Sequence, residues 1–229
     1  METQPLVIVP DRPALELDLI ADLVCPWSFL GKRSLERALE SLYGVTGPLL
    51  RWHGLPLAGE GRISWQQHFA SRLPRGTSVE TARRSLRRSG KELGITFDFD
   101  QLKALPDTRE AHRLVHIAAR EGHQSEVIDA IFQAFFEHAR DIADPLVLRD
   151  IAQECQLEAA SSAAFADPGE GRGDIDAEER RMRSLGIAQV PNVLINGRVL
   201  VPGPADVSTY VQALDQALFP ELRDKKRLH

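Results

Sequence analysis

The stretch Leu19–Leu39, LIADLVCPWSFLGKRSLERAL, passes from strand to helix with a cysteine at the junction. Upstream of it, ALELDLIAD (Ala14 to Asp22) alternates Leu15, Leu17 and Leu19 with polar neighbours, the period of a strand. Downstream, Pro26 suits a first helical position, where its missing N–H needs no partner. Leu35, Ala38, Leu39 and Leu42 then make one apolar helical face. Cys25 therefore opens a helix, where unpaired backbone N–H groups and the positive end of the dipole favour an anion. Helix-start thiols ionise below the roughly 8.5 of a free thiol, so Cys25 is expected to titrate below that value. A redox dithiol would place its second cysteine at position 28. The chain has Ser28, which can donate a hydrogen bond to a thiolate but cannot close a disulfide. Most free cysteines are buried small hydrophobes. The position before Pro26, after a strand and opening a helix, favours a reactive thiol at Cys25. Cys155, on the face of Leu148, Ile151 and Ala152, is expected to be inert core.

Working outward, Gly44 supplies a stop and PLLRWHGL (Pro48 to Leu55) reads as a second strand. A β-α-β opening implies parallel strands joined by a right-handed crossover. Residues 62–185 read as helical. Thr77 and Glu80 fit a capping box before a helix carrying Val79, Ala82 and Leu86. LPDTREAHRLVHIAAREG forms another helix, with Leu114, Val115 and Ala118 at core spacing and Gly122 as its stop. SEVIDAIFQAFFEHAR is a third, with Ile128, Ile131, Phe132, Phe135 and Phe136 on a broad apolar face. Asp144 and Pro145 start a fourth, ending near Cys155. DPGEGRGDID, from Asp167, reads as a loop before a last helix from Asp176 to Leu185.

Strand character returns in QVPNVLINGRVLVPG, where Val193 to Ile195 and Arg198 to Val201 flank Asn196-Gly197, a two-residue hairpin signal. A helix from Asp206 to Leu218 closes the chain. Residues 1–13, with three prolines, and the charged RDKKRLH end read as tails. The order β-α-β, helical block, β-β-α makes one sheet only if the block is an insertion. The expected fold is α/β, a thioredoxin-like fold interrupted by an all-helical insertion. Residues 14–61 and 186–220 would form the discontinuous thioredoxin-like domain, and 62–185 the insertion.

Val190-Pro191 just before a strand is unusual, because proline cannot donate to a ladder. A cis bond there would turn the chain sharply and bring its backbone beside Cys25. The alternative is a trans proline opening the strand.

Composition narrows the function. The 229 residues are 43% hydrophobic and 27% charged, as in a globular protein that can bury a sizeable core. A net charge of -5 argues against a general nucleic-acid binder. No apolar run approaches the ~20 residues of a membrane span. METQPLVIVPDRP lacks the basic and long apolar segments of a secretory signal. Two distant cysteines give no disulfide framework and fit a reducing compartment, so a cytoplasmic location is expected. Arg83, Arg84, Arg87, Arg88 and Lys91 read as a solvated helix face. GEGRG lacks the ending of a phosphate loop. The seven histidines show no zinc-ligand spacing, and Asp174 and Asp176 fit helix caps better than calcium ligands, so no metal is expected. No Gly-x-Ser-x-Gly elbow supports a hydrolase.

DLVCPWSFLGKRSLERAL, LPDTREAHRLVHIAAREG, AFFEHARDIADPLVLRDIAQECQLE and GIAQVPNVLINGRVLVPGPAD together resemble, in that order, the DsbA-like thioredoxin-fold family. The branch resembled is that of FrnE-type cytoplasmic oxidoreductases, relatives of 2-hydroxychromene-2-carboxylate isomerases and kappa-class glutathione transferases. The resemblance covers about residues 14 to 218. It implies that Cys25 is the nucleophile, flanked by Pro26 and Trp27. It implies that Pro191 is the cis-proline and that Val190 offers backbone groups to a bound peptide or glutathione. Thr108 and His112 match the start of the helix that faces the thioredoxin-like part in this branch; His112 either contacts substrate or caps and packs, and His116 reads as structural or surface. Two departures stand out: Ser28 replaces the resolving cysteine, and Asn192-Val193 replaces the usual threonine and aromatic.

The expected activity is thiol-disulfide exchange by a single cysteine through a mixed disulfide, with Ser28 assisting the thiolate. Reduction, isomerisation or deglutathionylation would suit it. No bound cofactor is implied; glutathione would act as co-substrate. The partner would be a disulfide-containing protein or a glutathione mixed disulfide, with no nucleic acid or membrane, and with a homodimer open as the assembly. The alternatives are a glutathione-dependent transferase or isomerase, in which residue 25 orients the glutathione thiolate, and a non-catalytic binding or chaperone-like module. Serine is frequent at the position of Cys25 in the transferase and isomerase branches. Cys25 thus weighs against them.

Overall fold

A computed structural model describes residues 15–42, 48–57 and 63–219. The expected stop at Gly44, both tails and the 61/62 boundary lie outside the described residues. Strands β1 (Glu16–Ala21), β2 (Leu49–Gly54), β3 (Asn192–Ile195) and β4 (Val199–Pro202) form one sheet in the order β2-β1-β3-β4. β1 runs parallel to β2, with Leu17 opposite Leu50 and Ala21 opposite Gly54. β3 is antiparallel to β1 and to β4. The alternating leucines behave as the period-two pattern requires: Leu15, Leu17 and Leu19 are all fully buried. At the β3–β4 hairpin Asn196 and Gly197 both have positive φ, 50° and 62°, which Asn-Gly tolerates better than other pairs.

Helix α1 (Pro26–Glu40) is the parallel crossover, with Pro26 in its first turn and Cys25 as the extended N-cap. Between β2 and β3 the described residues contribute α2 (Trp65–Ser71), α3 (Val79–Glu92), α4 (Arg109–Ala118), α5 (Gln124–Phe136), α6 (Pro145–Glu154), α7 (Ala159–Ala166) and α8 (Arg172–Ser184). Helix α9 (Val207–Leu218) follows β4, capped by Asp206 through Thr209 N.

Several local expectations shift. The capping box belongs to α2, where Ser64 and Gln67 satisfy each other's backbone N–H groups. Helix α3 is capped by Ser78, one residue after the expected Thr77. Helix α7 gave no periodic signal because it is mostly alanine and serine; its buried residues are Ser161 and Phe165. Helix α8 starts at Arg172, after Gly171 at φ 75°, instead of at Asp176. Asp174 and Asp176 therefore lie within the helix and pair with His116 and Arg109 instead of capping it.

One apolar core joins the sheet to the helices, including Leu17, Leu19, Phe29, Trp52, Phe132 and Phe136. A row of stacked rings runs out from α1: Trp27 on Phe69 (5.2 Å), Phe69 on Trp65 (4.8 Å) and Trp65 on Phe99 (5.3 Å). Such pairs contribute about 0.5–1.5 kcal/mol each beyond the area they bury, and here they fix α2 against the first turn of α1. Lys32, wholly buried on α1, is held by Glu36 and by Asp129 of α5 at 2.8 Å. The α3 arginines are partly engaged: Arg83 and Arg87 pair with Asp100 and lie over the Phe99 ring.

Candidate active site

The end of β1 turns directly into α1. Cys25 N donates to Asp22 O (3.1 Å), and Cys25 O accepts from Ser28 N (3.0 Å) and Phe29 N (3.3 Å). This turn places the thiol at the start of the helix, 5% exposed. The Val190–Pro191 peptide bond is cis, and Val190 O lies 4.0 Å from Cys25 Sγ. A cleft of about 410 Å³ opens at this point, lined by Cys25, Pro26, Trp27, Val190, His68 of α2 and Arg72 just after it. Four expected site residues thus meet at one opening. Ser28 and Pro191 do not line it. Ser28 is fully buried on the first turn of α1, and Pro191 packs toward Gly31, where an added Cβ would lie 3.5 Å from Pro191 Cγ.

The surroundings of Cys25 oppose the expected low titration. Burial pushes the thiol up to about 11. The nearby Ser28 groups pull it down, and the Asp22 charge pushes it further up. Loss of solvent thus outweighs the helix start, because a thiolate 5% exposed cannot recover its hydration from a few N–H groups. The Ser28 hydroxyl oxygen is buried without a partner in hydrogen-bonding geometry, although it is near enough to ease ionisation of the sulfur.

His112 does not line the Cys25 cleft. It is 1% exposed, with Nε2 3.1 Å from Asp22 Oδ1 and Nδ1 3.1 Å from Trp52 Nε1. It borders a second cleft of about 300 Å³ with Trp52, Gly54, His116, Glu178 and Arg181. Thr108 precedes α4 without capping it through its side chain, and its hydroxyl is buried and unpartnered. His116 pairs with Asp174 at 3.2 Å on the surface. Cys155 is half-buried at the end of α6 and free, not the fully buried residue expected.

Three residues in or beside the two clefts were not identified from sequence. Asp22 stands three residues before Cys25 in the quoted DLVCPWSFLGKRSLERAL, and that spacing is the available signal. Trp52 was visible only as a strand residue. His68 carried no signal. Burial and the Arg72 charge hold His68 below the usual histidine range. Among the described residues no three His, Cys, Asp or Glu side chains converge as metal ligands. No helix there is long and apolar enough to cross a membrane.

A cysteine at the first turn of a helix, facing a cis-proline loop on a mixed sheet, marks the thioredoxin-like class. The model of the DSBA-like thioredoxin domain matches residues 16–215, and the chain belongs to that family. It is 24% identical over 204 residues to YwbO, an uncharacterized protein of Bacillus subtilis, covering 87% of this chain and 96% of that one. Among solved structures it resembles a probable DsbA oxidoreductase of Streptomyces coelicolor (TM-score 0.77, 24% identity, 90% and 91% of the two chains). It also resembles the cytosolic disulfide reductase DsbM of Pseudomonas aeruginosa with GSH (0.61, 24%, 93% and 100%). A 2-hydroxychromene-2-carboxylate isomerase shares the fold as well (0.62, 14%, 93% and 99%).

Proposed function

We propose that this protein exchanges thiols and disulfides through Cys25 alone. The observation that supports it best is the placement of Cys25 Sγ on an open cleft, beside Val190 O, with Ser28 where a second thiol would be needed. The thiol loses its proton and the sulfur attacks one sulfur of a bound disulfide. A Cys25 mixed disulfide forms, the substrate S–S bond breaks, and the departing thiolate takes up a proton. A second, external thiol then attacks the mixed disulfide and restores Cys25. Glutathione fits that role as a small cytoplasmic thiol, consistent with the glutathione complex of the structurally similar DsbM. Pro26 and Trp27 wall the cleft, Val190 supplies a backbone acceptor, and a glutathione mixed disulfide or protein disulfide is the substrate. Residues 14–61 and 186–220 would act as the thioredoxin-like domain, with 62–185 as the insertion. A cytoplasmic location accords with these roles.

One observation favours a second reading. A thiol pushed up to about 11 stays protonated near neutrality and can donate S–H to a bound glutathione thiolate. That role belongs to a glutathione-dependent transferase or isomerase. The two readings separate in one experiment: incubate the reduced protein with oxidised glutathione and measure intact mass. A glutathione adduct on Cys25, removed by fresh thiol and absent in Cys25→Ser, is the expected result. Absence of an adduct, with conjugation or isomerisation activity persisting in Cys25→Ser, would overturn it in favour of the second reading.

A further inference from the structure

Helix α2 buries three residues, Trp65, His68 and Phe69, which share one face at the i, i+3 and i+4 spacing. The two aromatic residues account for how the helix is held beside the thiol. Trp65 Nε1 donates to Val24 O at 3.4 Å, one residue before Cys25. The Phe69 ring stacks on Trp27 at 5.2 Å, two residues after it. His68 is the polar member of that face. It is 7% exposed and lines the cleft on which Cys25, Trp27 and Val190 also open. Its backbone N–H donates to Ser64 O and its carbonyl accepts from the Ser71 hydroxyl, but no group among the described residues pairs with its imidazole. A buried polar ring left unpaired costs stability. An apolar side chain would serve packing better at this position, so the partner of the ring is to be sought in what enters the cleft.

We propose that His68 carries the proton of the exchange at Cys25: its imidazole takes the proton from the attacking thiol and delivers it to the sulfur that departs. This deepens the function proposed above and rests on Cys25 being the reactive sulfur. An S–S bond forms at Cys25 while the S–S bond of the substrate breaks, and the electron pair of that bond leaves on the departing sulfur. The proton lost by Cys25 ends on the same sulfur, so no outside acid, base or oxidant is consumed. An imidazole suits both halves of the step. It is less basic than a thiolate, so the proton rests on Cys25 while the cleft is empty and passes to the departing sulfur at the end. It is more basic than a sulfur already bound in a disulfide, so the proton leaves Cys25 as the new bond forms. His68 must begin as the free base, and burial together with the Arg72 charge keeps it so near neutrality, against an opposing effect of Asp22. Among the described residues, Arg72 after α2, Asp22 after β1 and Cys25 before α1 are the charged or titratable groups that bear on it. The shuttle also explains how a thiol pushed up to about 11 can react near neutrality.

The test is the rate at which oxidised glutathione forms a mixed disulfide with Cys25, followed by intact mass from about pH 5 to 10 in a Cys155→Ser background. With His68 present, the rate should reach a plateau at or below about pH 6.5, once the ring is neutral, and stay level to about pH 8. His68→Asn should slow the exchange about a hundredfold near neutrality. It should also replace the plateau by a rate that climbs about tenfold per pH unit with the thiolate fraction. Free imidazole should restore part of the rate in His68→Ala, whose shortened side chain leaves room at the cleft. An equal rate with the same plateau in a folded His68→Asn protein overturns the inference. A slower rate of unchanged shape, without rescue by imidazole, marks a structural role and overturns it too. Should the variants not fold, the unsubstituted protein decides alone, and a climb without a plateau rejects the shuttle. Absence of any adduct in the unsubstituted protein overturns the exchange itself, whereas an adduct formed equally fast without His68 overturns only the shuttle.

Discussion

Substituting Ser28→Ala should move two properties in opposite directions. The Ser28 hydroxyl is fully buried and its oxygen has no hydrogen-bond partner. A buried polar group left unpaired costs about 1–3 kcal/mol, so its removal should stabilise the resting protein by about 1 kcal/mol after the lost packing is counted. For a chain of this size that raises Tm by about 2–4 °C. The same hydroxyl helps to hold the Cys25 sulfur when it ionises, and without it the thiol should become harder to deprotonate. A hydrogen bond to a charged group is worth about 1.5–3 kcal/mol, which raises the midpoint by about one to two pH units. Each unit lowers the thiolate fraction about tenfold, while the more basic sulfur gains roughly threefold in nucleophilicity, leaving a loss of about threefold per unit. Alkylation of Cys25 well below its midpoint should therefore slow by about three- to tenfold. Thermal unfolding and the alkylation rate, measured on the same preparation, check both signs. A fall in Tm together with an unchanged alkylation profile would refute the reasoning, because the hydroxyl would then be satisfied at rest and uninvolved with the sulfur.

Two further outcomes can be stated. Burial pushes His53 down, but the hydrogen bonds it donates to Glu178 and Asp18 outweigh that and hold His53 above its ordinary value, while His53 holds Glu178 below its own. The His53 contribution is thus complete below about pH 6.5 and fades as pH rises through the higher folded value. The Glu178 contribution is complete above about pH 4.3 and fades as pH falls through its lowered value. His53→Gln should flatten the decline of Tm above about pH 6.5, and an unchanged slope would count against this pairing. Gly54→Ala places a Cβ within 2.6 Å of His112 Nδ1 and must displace the buried ring, costing about 1–3 kcal/mol in denaturant unfolding. A loss within error would mean that the ring moves freely.

The fold was legible where the pattern is local and repetitive. Leu15, Leu17 and Leu19 alternate because a strand alternates its faces, and Pro26, Asn196-Gly197 and Asp206 mark turns and helix starts through their own backbone chemistry. The same locality explains the errors. Thr77 and Ser78 are adjacent hydroxyl residues that can each cap a helix, and α3 takes Ser78, while the capping box belongs to Ser64 and Gln67 at α2. Helix α7 has no amphipathic face; Arg113 of α4 reaches its end by donating to Phe165 O at 2.8 Å.

By itself, the sequence determined that a cysteine opens a helix after the first strand, that position 28 carries no second thiol, and that a Val-Pro step precedes the third strand. These are properties of adjacent residues. Only the tertiary structure decided what the thiol experiences there. Burial and Asp22 push Cys25 up, although its position at a helix start predicts the opposite, because solvation and charge depend on everything that surrounds a sulfur and not only on its own helix. It also decided what His112 does, since Asp22 just after β1, Trp52 of β2 and His112 of α4 meet only when the sheet and helices pack together.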